Sequence, residues 1–372
     1  MTSYIKSTRV LLAAALLLGA GTAPAALSSA ASASAVSASA SASASAKTAA
    51  PIRIALNGTT LTQTAIAKNN TVLIPLAVLR DALGLKVSYD AKTKAYEITR
   101  GKVTVTLKPT EYGTMQVTVD GSTQFSDYEW VNQQGRSYVS VHLLSDVLGY
   151  RTAWNNSAKI INLIPLQLND LKVTAKVLNE SAAATDFRIE YPVISGLSDA
   201  SVQQKINQIF KEHAEAYLQD AKERSKELGL GPQGTKNEFD SYYSLTYNRN
   251  GYISFRLLSY EYTGGAHGMS ALEGITIRLS DGSQAGLSEL LKANPDYLKI
   301  IDAKVAANLE KTPGYFGGFT TAGDNPGFYL KDEGIVVFFQ LYEYLPYAAG
   351  FPEYAIPFSA LLPDGSSPFE QQ

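Results

Sequence analysis

The sequence predicts an α+β protein of two domains. The first is a β-rich domain built from a duplicated strand–helix–strand unit, and the second is an antiparallel sheet with two packed helices. Three observations carry this prediction. A motif recurs at a fixed offset, so that Gly84 matches Gly149 and Tyr89 matches Trp154. Beyond Pro165 the chain interleaves period-two aromatic runs with two long amphipathic stretches. The composition, 45% hydrophobic and 18% charged, is that of a globular chain.

Residues 1–25 read as a secretory signal peptide. Lys6 and Arg9 precede an uncharged apolar run from Val10 to Ala20, and Ala23-Pro24-Ala25 offers a small-x-small cleavage site. The run is too short to span about 30 Å of hydrocarbon at 1.5 Å per residue. No later segment is long and apolar enough to do so, and there is no cysteine to carry a lipid. The mature chain is therefore expected to have no membrane span and to be secreted, extracellular or cell-wall associated. Residues 26–50 are almost pure Ala and Ser and read as a flexible tether.

The duplicated unit occupies residues 51–165. Asn57-Gly58 and Asp120-Gly121 suit hairpin turns that need positive φ. Val72-Leu73-Ile74 and Tyr138-Val139 are short strands. Pro75 and Ser140 then open helices whose apolar faces are Val78, Leu79, Ala82 and Leu83, and Leu143, Leu144, Val147 and Leu148. Gly84 and Gly149 suit the left-handed position past a helix end. A strand reaching Tyr89 or Trp154 follows each. The pattern of hydrophobic residues, Pro-Leu, Leu-Gly and Val-x-Tyr-Asp resembles the copper amine oxidase N-terminal, or stalk, domain of secreted Gram-positive proteins. That resemblance implies a structural or adhesive role rather than copper chemistry. Consistently, the segment has one histidine, His142, and no cysteine, too few ligands for a copper site.

The second domain is expected at 168–363, with a tail at 364–372. Phe187, Ile189 and Tyr191 mark a strand ending at Pro192. Ser198-Asp199 caps a helix whose face carries Val202, Ile206, Ile209, Phe210, His213, Tyr217 and Ala221, with His213 expected in the core. Two aromatic strands flank Asn250-Gly251. A further strand precedes Asp281-Gly282, a second helix follows Asn294-Pro295, and Gly334–Gln340 is a buried strand.

Four ordered motifs stand out: Tyr260-Glu-Tyr-Thr-Gly-Gly-Ala-His-Gly268, Phe328–Phe339, Tyr342-Glu-Tyr-Leu-Pro-Tyr-Ala-Ala-Gly350 and Tyr354-Ala-Ile-Pro-Phe358. Together they resemble the extracellular module of lysozyme-sensing anti-sigma factors and of some peptidoglycan deacetylases. The resemblance implies binding of a lysozyme-type muramidase. This chain differs in having a leader and stalk domain in place of a cytoplasmic segment, in lacking a deacetylase domain after the module, and in carrying Leu341 where the family motif begins with proline.

Composition narrows the function classes. With no cysteine and only His142, His213 and His267, thiolate chemistry is excluded, and neither a metal nor any cofactor is expected. Loss of Lys6 and Arg9 with the leader leaves a net charge of about −4, which argues against nucleic acid. No nucleophile elbow or phosphate loop is present. Glu261, Glu273, Glu333 and Glu343 could in principle serve a glycosidase, but no spacing selects a pair. The expected function is recognition of a cell-surface protein, lysozyme above all, or of peptidoglycan glycan, without catalysis. The alternatives are a carboxylate-dependent cell-wall hydrolase and a purely structural wall protein. The candidate ligand-binding residues are Tyr262, Gly264, Gly265, His267, Tyr344, Pro346 and Tyr347. The glycine loop admits two readings, an anion cradle or a tight connection with His267 bonded to backbone.

Overall fold

A computed structural model describes residues 51–111, 114–125, 128–363 and 368–369. The expected leader and tether, and all but two residues of the expected tail, lie outside the described residues. The N-terminal domain opens with β1 (Ile52–Leu56), β2 (Thr59–Lys68) and β3 (Thr71–Pro75), followed by α1 (Leu76–Asp81). Five strands then form a meander: β4 (Lys86–Asp90), β5 (Ala95–Arg100), β6 (Val103–Pro109), β7 (Met115–Val119) and β8 (Ser122–Gln124). The second copy is β9 (Trp130–Gln133), β10 (Arg136–Ser140), α2 (Val141–Asp146), β11 (Tyr150–Asn155) and β12 (Ile160–Pro165).

The local chemistry of the repeat is as its residues require. Asn57, Gly58, Asp120 and Gly121 all take positive φ, as do Gly84 and Gly149 past the helices. The Ser140 hydroxyl accepts a hydrogen bond from the His142 N–H and caps α2. The two copies meet where β3 pairs antiparallel with β10, Ile74 opposite Val139. Beyond that point they diverge. β11 and β12 join β1 in a seven-stranded sheet, whereas β4 and β5 belong to the separate five-stranded meander. Both sheets and both helices share one core, in which Ile54, Ile74, Leu79, Ile98, Leu143 and Leu144 are fully buried.

The C-terminal domain is β13 (Lys172–Ser181), β14 (Thr185–Ser195), α3 (Ala200–Ser225), β15 (Asn237–Arg249), β16 (Tyr252–Tyr262) and β17 (Met269–Arg278). Then come α4 (Leu287–Leu290), α5 (Tyr297–Leu309), β18 (Phe328–Lys331), β19 (Gly334–Phe338), β20 (Glu353–Pro357) and α6 (Phe358–Leu361). The α+β architecture holds. One pairing departs from the expected antiparallel sheet: β14 runs parallel to β15, because the long crossover helix α3 returns the chain to the same end. β14 also continues through Pro192. Its pairing with β15 stops at Ile189, so the proline lies where β14 has a partner on one side only.

α3 is capped by the Asp199 carboxylate, which accepts from the N–H groups of Ser201 and Val202. It buries Val202, Ile206, Phe210, Ala214, Leu218 and Ala221 against the five-stranded sheet. Each of the larger side chains contributes about 1.5–3 kcal/mol. His213 is the exception to the expected core position. It lies at the flank of that face, 38% exposed, with Nε2 2.7 Å from the Glu273 carboxylate. A third core forms where α5 packs on the three-stranded sheet β18–β19–β20, around Ile301, Val305, Leu330 and Val337.

Side chains fasten the two domains together. Arg100 first anchors the chain where it leaves the N-terminal domain: its guanidinium donates to the carbonyls of Leu148, Gly149 and Leu166 and stacks over Tyr150. Lys102 pairs with Asp170 at 2.7 Å. Ser122 of β8 donates to the buried Glu190 carboxylate and lies 2.8 Å from the Tyr243 carbonyl. Phe125 packs edge-on against Tyr242 with centroids 4.6 Å apart.

Candidate functional site

The β16–β17 hairpin ends in the loop Thr263–Gly268, which turns through Gly264 and Gly265 at φ 94° and 102°. Of the two readings of this loop, the geometry matches the tight connection. The Tyr262 hydroxyl donates to the Gly265 carbonyl at 3.1 Å, and His267 Nδ1 lies 2.8 Å from the Gly268 carbonyl. Because that oxygen can only accept, Nδ1 is the donor in this contact. Gly268 admits no side chain: a Cβ there would sit 2.6 Å from the Glu261 carbonyl oxygen and closer still to the Tyr260 ring.

The segment 342–350 meets this loop directly. The Tyr347 ring stacks on His267 with centroids 3.9 Å apart and planes 20° apart, and its hydroxyl donates to the same Gly268 carbonyl at 2.9 Å. Tyr342 lies against Tyr347 at 5.7 Å. Tyr342 is 49% exposed and held at φ 64°, a conformation costly for a bulky side chain. Pro346 opens the short turn Tyr347–Ala349 and packs on Gly314. Tyr344 points elsewhere. It is half-buried against Phe339, Phe319 and Tyr315 in the third core, and burial raises its phenol pKa.

The structure thus brings His267 and Tyr347 together, with Pro346 at the start of the Tyr347 turn, makes Tyr262, Gly264 and Gly265 the frame of the loop that carries His267, and directs Tyr344 inward. Two residues were missed in the sequence as site candidates. Tyr342 stood inside a quoted motif as one tyrosine among several, and only its backbone strain and ring contact distinguish it. Phe316 is 59% exposed on the glycine-rich segment between α5 and β18, and its N–H donates to the Tyr344 carbonyl at 3.0 Å, which ties its backbone to the 342–350 segment. The signal available for it was the unusual length of that structureless, Gly-punctuated connection.

The four glutamates considered for catalysis are each engaged. Glu261 pairs with Arg224, Glu273 with His213, and Glu333 with Arg249 at 3.1 Å. Glu343 accepts the Gln340 N–H at 2.8 Å. Among the described residues, no group of three or more His, Cys, Asp or Glu is placed to hold a metal ion, and no helix is long and apolar enough to cross a membrane. His142 is exposed at the start of α2, its N–H bonded to the cap.

Comparison with known families gives three matches in sequence along the chain. Residues 55–163 match the copper amine oxidase N-terminal domain, residues 178–270 the family described as deacetylase PdaC, and residues 288–359 a protein family of unknown function, DUF3298. A copper amine oxidase N-terminal-like domain is therefore followed by PdaC-type and DUF3298-type segments. Similar solved structures include a DUF3298 family protein from Bacteroides fragilis, 20% identical, matching 50% of this chain and 90% of its own with a TM-score of 0.39. Another, from Pseudomonas aeruginosa, is 16% identical and matches 52% of this chain and 93% of its own with a TM-score of 0.34. No curated protein matches.

Proposed function

We propose that this chain is a secreted, cell-envelope binding protein that recognises a protein partner, without catalysis, through the face formed by Tyr342, Tyr347 and His267, with the exposed Phe316, whose backbone is bonded to the same 342–350 segment, adding to it. The carrying observation is the convergence of two separate motifs on the Gly268 carbonyl, which holds the exposed His267 ring and the half-buried Tyr347 ring in fixed positions, with the exposed Tyr342 against the latter. Rigid aromatic anchors on projecting loops are the residue type that dominates protein–protein binding energy. The strain at Tyr342 supports the reading, since a bulky residue is kept in that conformation where function offsets the cost. Engagement of the candidate glutamates in ion pairs or backbone contacts favours binding over hydrolysis. The stalk-type domain would position this face at the wall. A lysozyme-type muramidase is the concrete partner, on the resemblance of the C-terminal motifs.

Calorimetric titration of the full chain with several lysozymes tests this. We expect saturable binding that Tyr342→Ala and Phe316→Ala each weaken about tenfold or more, near 1.4 kcal/mol. Absence of binding at high micromolar lysozyme removes the muramidase. Binding of soluble peptidoglycan fragments to this face, or lysozyme binding indifferent to both substitutions, overturns the assignment of the face.

A further inference from the structure

A second candidate site lies between the domains. A cleft of about 420 Å³ opens between the meander and α2 on one side and β15–β18 on the other. Its size falls within the range of small-ligand sites, and domain junctions are where such sites commonly form. Its aromatic lining includes Phe125, Tyr242 and Phe351. Phe125 is 61% exposed despite its contact with Tyr242, so an apolar ring edge stands at the cleft with only part of its surface covered.

The charges around the cleft cancel. It is lined by three cations, Arg249, Arg256 and Lys331, and three carboxylates, Asp146, Asp332 and Glu353. Arg256 holds Glu353 at 2.9 Å, and the Tyr329 hydroxyl donates to the same carboxylate oxygen at 3.0 Å. Lys331 reaches Asp146 across the domain boundary at 3.3 Å. Asp332 lies near Lys331 and near Arg249, whose guanidinium is itself paired with Glu333 at 3.1 Å. A charged ligand that engaged Arg256, Glu353, Lys331 or Asp146 would have to break one of these two partly buried pairs and leave an uncompensated partner. The remaining polar lining, including Gln124, Ser244 and Ser270, consists of neutral hydroxyl and amide groups.

We propose that the cleft between the domains binds a short, uncharged oligosaccharide, its ring faces against Phe125, Tyr242 and Phe351 and its hydroxyls bonded to the neutral polar lining. Aromatic faces accept the apolar C–H surface of a pyranose, and hydroxyl and amide groups satisfy its polar edge without net charge. The site is separate from the loop face and does not depend on it. It would let the chain hold a glycan strand where the stalk domain and the C-terminal domain join.

The test is calorimetric titration of the full chain with tri-N-acetylchitotriose as the neutral probe. Its fully deacetylated, cationic counterpart and an anionic trigalacturonate serve as charged probes. We expect saturable binding of the neutral probe with a dissociation constant on the order of 1 mM or tighter. Phe125→Ala, at an exposed position, and Ser270→Trp, which fills the cleft, should each weaken it about tenfold or more. Both variants are to be checked for an unchanged far-UV circular dichroism spectrum. Tyr342→Ala should leave it unaltered. Three results overturn the proposal: no saturation by the neutral probe, equal binding of either charged probe, or binding that Tyr342→Ala abolishes while Phe125→Ala leaves intact. Failure of lysozyme binding has no bearing on these outcomes.

Discussion

Tyr342 and Gly268 show how single residues set the geometry of the loop face. Tyr342 occupies the left-handed region, which costs about 1–2 kcal/mol for a side chain of its kind. Asparagine tolerates that conformation well. Tyr342→Asn is therefore expected to leave thermal stability equal or higher while partner binding falls. A loss of more than about 1 kcal/mol in chemical denaturation would instead make Tyr342 a structural residue. Gly268 has the opposite character. Its missing side chain is required by the Glu261 carbonyl and the Tyr260 ring, and its own carbonyl gathers His267 and Tyr347. Gly268→Ala should cost about 1–3 kcal/mol and separate the two rings, read by denaturation and by loss of the ring-current shift on the His267 protons.

At the scale of elements, the contacts between β7–β8 and the C-terminal sheet carry a pH dependence. Asp120 sits in the β7–β8 turn, where burial pushes its carboxyl up to about 6, opposed by the Thr104 N–H it accepts from and by Lys172. A folded-state value above the unfolded one means that this contribution is fully present below about pH 4 and lost as pH rises through 6. His213 acts in the same direction. Glu273 raises its pKa against the lowering effect of burial, so its contribution is present below the unfolded value of about 6.5 and lost as pH climbs through the raised folded one. Asp120→Asn keeps an acceptor for Thr104 and tolerates the turn's positive φ while removing the titration. We expect the melting temperature of this variant to exceed that of the parent at pH 8 and to vary less between pH 5 and 7. An unchanged profile would assign the dependence to other groups.

For the whole molecule, the question is whether the two domains unfold together. Ser122 of the first domain supplies a donor to Glu190, whose carboxylate is buried in the second and otherwise held by Arg188 at 2.9 Å. Lys102 and Lys331 add contacts across the same junction. A single calorimetric transition is expected for the parent chain. Ser122→Ala leaves a buried carboxylate oxygen short of a donor, at a cost of about 1–3 kcal/mol, and should broaden or divide that transition. Two well-separated transitions already present in the parent would show that the junction does not couple the domains.

Much of this was written in local residue chemistry. Asn57-Gly58, Asp120-Gly121 and Asn250-Gly251 specify their turns because few residues accept positive φ. The Ser140 and Asp199 caps, the spacing of Val202, Ile206 and Phe210, and the offset of the repeat each depend on residues close in the chain. Other features depended on contacts between distant segments, which no local pattern encodes. Examples are the parallel β14–β15 pairing, the passage of β14 through Pro192, the flanking position of His213 and the inward turn of Tyr344. The meeting of His267 with Tyr347, eighty positions apart, and the charge-compensated cleft between the domains belong to the same class. By itself the sequence determined which elements form and where they turn, because those follow from φ preferences, capping and periodicity. Only the tertiary structure decided which side chains face one another, because that is set by packing whole elements together.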